Sequence, residues 1–155
     1  MATTIVPSNL IVTITESYTL NGVDYGNTMN KTYDSNGQVS QRVMSVAGNG
    51  AEATDWTDIL ALSTLDGQGQ VKKTDYKYFR ITNLDTVNTL YIRTYNGIDY
   101  VAFEVAPASS LMLMDAGYDA TLTAAIVVLK DIELISGQSS SETDAIDVEF
   151  IMVTA

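Results

Sequence analysis

The sequence predicts an all-β fold: an antiparallel β-sandwich of jelly-roll type with eight or nine short strands, or alternatively a closed up-and-down barrel. Three observations predict it. Apolar and polar residues alternate with period two through most of the 155 residues. Gly or Asn breaks the pattern about every ten residues, the spacing of short strands joined by tight turns. Amphipathic helix patterning is nearly absent. With no internal repeat, linker or second composition, residues 9–155 read as one domain and residues 1–8 as an extended N-terminal arm.

The first strand runs from Leu10 to Leu20, with Leu10, Val12, Ile14, Tyr18 and Leu20 on one parity and Thr13, Thr15, Ser17 and Thr19 on the other. Asn21-Gly22 closes a hairpin, because Asn-Gly tolerates positive φ at both centres of a two-residue turn. Leu20 then faces Val23, Tyr18 faces Tyr25 and Ile14 faces Met29, with Gly26 a candidate bulge. Asp34 to Gly37 is a turn cluster, Gln38 to Val46 the next strand and Ala47 to Gly50 a break. Glu52 to Leu65 reads as irregular chain leading into a short strand.

Between Tyr76 and Met114 the pattern is clearest. Asn96-Gly97 separates two alternating runs, and a two-residue turn there pairs Tyr95 with Ile98, Ile92 with Val101 and Leu90 with Phe103. One face of this hairpin is apolar, and the other carries Tyr91, Arg93, Tyr95 and Tyr100. Pro107 to Ser110 is a turn and Leu111 to Met114 a short strand. Further on, Asp115-Ala116-Gly117 is another turn. Short apolar runs follow at Ile126 to Leu129 and Ile132 to Ile135, then a polar loop at Ser136 to Thr143. The last strand, Ala145 to Val153, sets Ile146, Val148, Phe150 and Met152 against Asp147, Glu149 and Ile151.

Composition narrows the chemistry. The chain has no cysteine and no histidine. Disulfides, thiolate sites and cysteine nucleophiles are therefore excluded, and so are the commonest general base and the commonest transition-metal ligand. A net charge of −11, from 8 Lys+Arg against 19 Asp+Glu, opposes sequence-independent binding to nucleic acid or an anionic membrane, both of which need a cationic face. Lys72, Lys73, Lys77 and Arg80 reverse the sign locally but fall short of a polybasic run. No signal peptide and no apolar run of membrane-spanning length is visible, so synthesis in a cytoplasm is expected.

Catalytic and ligand-binding motifs are weak. Asp55 with Asp58, or Asp115 with Asp119, lack the spacing of a calcium loop and read as turn residues. Gly67-x-Gly69 lacks the Lys-Ser/Thr and the helix start of a phosphate cradle. Ser139, Ser140 and Ser141 have no Ser-x-x-Lys partner. An enzyme is not expected, nor is a cofactor or a metal. Tyrosine is the enriched aromatic, nine residues against three Phe and one Trp. Rigid amphipathic rings near Arg93 are the composition of a protein contact surface, or else of cross-strand pairs that stabilise a sheet.

Several phrases together resemble a family of small virion structural proteins of tailed bacteriophages. They are Val12 to Glu16 with Leu20-Asn21-Gly22, Gln41-Arg42-Val43, Tyr78-Phe79-Arg80-Ile81-Thr82-Asn83-Leu84-Asp85, Phe103 to Ser110, and Asp147-Val148-Glu149-Phe150-Ile151. Their order spans Leu10 to Val153. Relatives of this kind often carry Pro-Gly before the Leu111 strand, where this chain has Pro107-Ala108. The resemblance implies a β-sandwich that assembles on the outer surface of the capsid as a decoration, or cement, protein. Its partner would be the major capsid protein, bridged across subunit joints, and its own state a homo-oligomer with a trimer favoured. The contact groups would be Trp56, the strongest single candidate, with Tyr91, Arg93, Tyr95 and Tyr100, and Ala2 to Ser8 could lie along the shell as an arm. The competing classes are a tail or fibre-base component and a carbohydrate-binding sandwich.

Overall fold

The computed structural model describes residues 8–36, 38–50, 56–63, 71–114 and 131–154. They hold thirteen strands and one short 3-10 turn, Lys73–Asp75. In order, the strands are β1 (Ser8–Glu16), β2 (Thr19–Leu20), β3 (Val23–Asp24), β4 (Asn27–Asn36), β5 (Gln38–Val46), β6 (Thr57–Ser63) and β7 (Val71–Lys72). There follow β8 (Tyr76–Asn83), β9 (Leu90–Tyr95), β10 (Tyr100–Val105), β11 (Ser110–Leu113), β12 (Leu134–Ser139) and β13 (Ile146–Thr154).

Two sheets form the body, one in the order β10-β9-β12-β6-β7 and one in the order β11-β8-β13-β5. All pairings are antiparallel except β6 with β7. The sheets pack face to face over one core. The four-stranded sheet contributes Val46, Phe79, Ile81, Val148, Phe150 and Met152, and the five-stranded sheet Ile59, Leu90, Ile92, Val105 and Ile135. The rings of Phe79 and Phe150 lie 6.0 Å apart across β8 and β13. The fold is thus the expected all-β sandwich. Any jelly-roll winding would run through residues 51–55, 64–70 and 115–130, which lie outside the described residues, as do residues 1–7 of the expected arm at 1–8, the turn at Asp115-Ala116-Gly117 and the run Ile126 to Leu129; Ser8 opens β1.

The first hairpin has the expected register. Leu20 pairs with Val23, Ile14 with Met29 and Leu10 with Tyr33, and Tyr25 N–H donates to Tyr18 C=O at 2.9 Å. The ladder breaks briefly around Gly26, where a Cβ would lie 2.6 Å from the Glu16 carbonyl oxygen. Three expectations need correction. The Asp34 to Asn36 turn is strand, the end of β4. The Asn96-Gly97 hairpin is closed by four residues instead of two, so Tyr95 pairs with Tyr100, Ile92 with Phe103 and Leu90 with Val105. Finally, Ser136 to Ser139 is no loop but part of β12, which lies between β9 and β6 with these four residues buried.

β12 is polar in sequence because it is buried differently from its neighbours. Gly137 leaves room for Ile59, Ile92 and Leu90, whose Cδ1 atoms would lie 2.8, 3.3 and 3.4 Å from an added Cβ. On the opposite face, Ser136 Oγ donates to Asp58 Oδ1 at 3.0 Å, which satisfies a buried hydroxyl.

The phrase Arg80 to Asp85 fastens the corner where the chain crosses between sheets. Asn83 is fully buried, and its Nδ2 donates to the carbonyls of Asn88, Val105 and Ala106 at 2.9, 3.2 and 3.3 Å. Asp85 Oδ1 accepts from Val87 and Asn88 N–H at 2.7 and 2.6 Å. Those two amides hold its carboxyl below the ordinary carboxylate value. Asp85 C=O also accepts from Ala108 N–H at 2.9 Å. Ala108 follows Pro107 with φ of 53°, and Ser109 N–H returns to Ala106 C=O at 3.2 Å. That is a Pro-centred turn whose third position favours glycine, so the Pro107-Ala108 departure carries a conformational cost.

Candidate functional site

The outer face of the five-stranded sheet gathers most of the residues singled out by the sequence. Residues opposite one another in an antiparallel pair share a face. Arg93 lies opposite Ala102 on one side and Ser136 on the other, and Ser136 in turn lies opposite Asp58. The neighbouring row sets Tyr95 opposite Tyr100 and Leu134, and the row on the other side sets Tyr91 opposite Glu104 and Gln138. Period-two alternation in β9 makes this face: Leu90, Ile92 and Thr94 are buried while Tyr91, Arg93 and Tyr95 are half-buried.

Trp56 immediately precedes β6, two places from β9 in the sheet, and joins this surface. The Arg93 guanidinium carbon lies 4.3 Å from the Trp56 ring centroid and 4.7 Å from that of Tyr100. Tyr95 stacks on Tyr100 with centroids 4.5 Å apart and planes 25° from parallel. The result is a continuous stack in the order Trp56, Arg93, Tyr100, Tyr95. Each exposed cation–π contact is worth about 0.5–1 kcal/mol. Among the described residues Arg93 Nε is buried without a hydrogen-bond partner, so ring packing orients this side chain. Four of the five expected contact residues are brought into one group. Tyr91 shares the face one row away. What the sequence did not reveal is the link from Arg93 to Trp56, or that Asp58, Ser136 and Gln138 belong to the same face.

Such an arrangement supplies rigid aromatic area and a cation held in place, the ingredients of an interface hot spot. Elsewhere the polar residues flagged in the sequence have structural partners. Asp58 accepts from Ser136, Ser140 Oγ accepts from Thr89 N–H at 2.9 Å, and Ser141 Oγ donates to Asp144 at 3.0 Å. In the basic stretch, Lys73 pairs with Glu133 and Arg80 with Glu149, each at 3.0 Å, and Lys77 Nζ donates to Asp34 C=O at 2.7 Å. Asp55, Asp115, Asp119 and Gly67-x-Gly69 lie outside the described residues. Among the described residues no group of three or more acidic side chains is placed to hold a metal ion, and no helix is long and apolar enough to cross a membrane. Comparison with family models, with curated proteins and with solved structures returns no match.

Proposed function

We propose that this chain is a non-enzymatic structural protein that acts by burying its surface against a larger assembly. Following the resemblance of its sequence, that assembly is a phage head. There the protein decorates the outer capsid surface and bridges major capsid subunits. The observation that carries the reading is the Trp56, Arg93, Tyr100, Tyr95 stack on a sheet face: preordered Trp, Tyr and Arg side chains lose little freedom on binding and dominate interface energetics. The acidic balance of −11 suits a part that faces solvent and keeps away from nucleic acid and anionic membrane. Added interface area would oppose the pressure of packaged DNA without chemistry. One face of the Trp56 indole is already taken by the Arg93 guanidinium, which argues against that face as a sugar-stacking platform.

Two measurements test this. Quantitative mass spectrometry of virions should find the chain in proportion to the major capsid protein, whereas a few copies per particle would point to a tail part instead. Arg93→Ala should lower the fraction bound to empty capsid shells about tenfold or more, as loss of a hot spot does. Unchanged binding would remove the stack from the interface.

A further inference from the structure

One face of the first hairpin is largely apolar along its length, interrupted by Lys31 and by Glu16 opposite Asn27. Along β1 and β4 one face carries Leu10 opposite Tyr33, Val12 opposite Lys31 and Ile14 opposite Met29. The same parity continues into Tyr18 stacked on Tyr25 at 5.5 Å and Leu20 paired with Val23. The near half of this stripe is already an interface. Leu10 and Val12 pack with Tyr33 against Tyr78, Ile151, Val153 and Met114 on the outer face of the four-stranded sheet, and the Tyr33 and Tyr78 rings lie 6.1 Å apart. Among the described residues the far half has no second layer: Tyr18, Leu20, Val23, Tyr25 and Met29 are all exposed. A two-stranded ribbon in water is marginal by itself.

The body carries a surface that continues the same interface from the other side. Val39 lies opposite Val153, and Val43 shares its face two pairs further along β5. They are 60% and 63% exposed on an edge strand of that sheet, where unsatisfied strand edges and apolar side chains invite another chain. The charge nearest Val43 on the receiving face is already compensated. Val43 lies opposite Glu149, which pairs with Arg80 at 3.0 Å and accepts from Gln41 Nε2 at 2.6 Å, while the segment Ile14 to Met29 holds Glu16 and Asp24 and no cation.

We propose that the distal half of the hairpin, Ile14 to Met29, seats on the outer face of β5 in a second copy of this chain. It extends between molecules the seam that Leu10, Val12 and Tyr33 make within one. Each copy offers one arm and one receiving face, so the contact is heterologous and closes as an exchanged pair or a ring. This proposal stands apart from the capsid reading: virion stoichiometry does not bear on it, and a monomeric protein in solution would leave the Trp56 surface untouched.

Sedimentation of the purified full chain over a concentration series should show mass rising above the monomer. Met29→Asp in the arm and Val43→Asp on the face should each weaken association about tenfold or more, by setting a charge against apolar surface. Mixing the two variants should restore a one-to-one complex, since one keeps its face and the other its arm. Both sites are exposed, so far-UV circular dichroism should be unchanged. Because the chain has no cysteine, oxidising a mixture of Met29→Cys and Val43→Cys proteins gives an independent readout as a covalent dimer, against Ile98→Cys as control. A wild type that stays monomeric, variants that associate as it does, or a mixture that neither assembles nor cross-links above the control would each overturn the proposal.

Discussion

Two Asn-Gly pairs in this chain close hairpins, and they do it differently. At Asn21-Gly22 both residues take positive φ, 52° and 79°, and the turn has two residues. At Asn96-Gly97 only Gly97 is positive, at 92°. There Asn96 Oδ1 accepts from the N–H groups of Ile98 and Asp99 at 2.9 and 2.8 Å, and the loop has four residues. Burial is what separates them. Among the described residues nothing covers either face of the distal first hairpin, so turn chemistry sets its register. In the second hairpin one face is core. A two-residue turn would have set Asp99 opposite Thr94, which is fully buried; the observed register sets Val101 there and brings Val105 opposite Leu90. Keeping a carboxylate out of the interior outweighs the preference of Asn-Gly for a tighter turn, since an unpaired buried charge costs several kcal/mol or more. Ile98, left in the loop, is 82% exposed.

The comparison can be broken most strongly in the core. Ile92→Ala should destabilise the protein by about 2–5 kcal/mol, whereas Ile11→Ala on the ribbon should stay within about 0.5 kcal/mol. Urea unfolding of the two variants measures both, and equal losses would deny the contrast. Asn96→Ala removes the acceptor for two loop amides and should cost about 1 kcal/mol. The cross-strand Tyr95–Tyr100 contact should persist in nuclear Overhauser spectra, because burial and not the turn sets the register. Gly22→Ala meets no atom within 4 Å but must hold φ at 79°. Its cost of about 1 kcal/mol should appear as faster amide exchange in β2 and β3 with no shift of the main unfolding transition.

A third turn sharpens the point, since Ala108 holds φ at 53° without being glycine. Ala108→Gly should stabilise the protein by roughly 0.5–1 kcal/mol, read as a higher Tm. The smallest effect lies at the corner beside it. The Asp85 carboxyl titrates below its ordinary 3.8 because Asn88 and Val87 N–H groups donate to it, so the folded state binds its proton less readily than the unfolded chain. Its contribution is complete above the unfolded value and fades as pH falls through 3.8 toward the folded one. In acid titration followed by circular dichroism, Asp85→Asn should flatten that part of the curve.

Much of the fold was legible because it rests on local signals. Alternation marked β5 and β13 at nearly their observed bounds, and Asn21-Gly22 fixed the register of a long hairpin. β12 was not legible. Ser136, Gly137, Gln138 and Ser139 have the composition of a loop, and only a strand flanked on both edges, with Gly137 making room for Ile59 and Ile92, gives them a buried place. The candidate site was legible in part. Period two placed Tyr91, Arg93 and Tyr95 on one face, but nothing local connects Arg93 to Trp56.

The identity of the alternating strands, the side of each that turns inward and the absence of histidine and cysteine chemistry follow from the sequence by itself, because each depends on residue type and period alone. The tertiary structure decided which strands became neighbours, how the second hairpin slid by two residues, and which distant rings closed on Arg93. Those outcomes depend on what can be buried together, a balance over the whole core that no short stretch of chain contains.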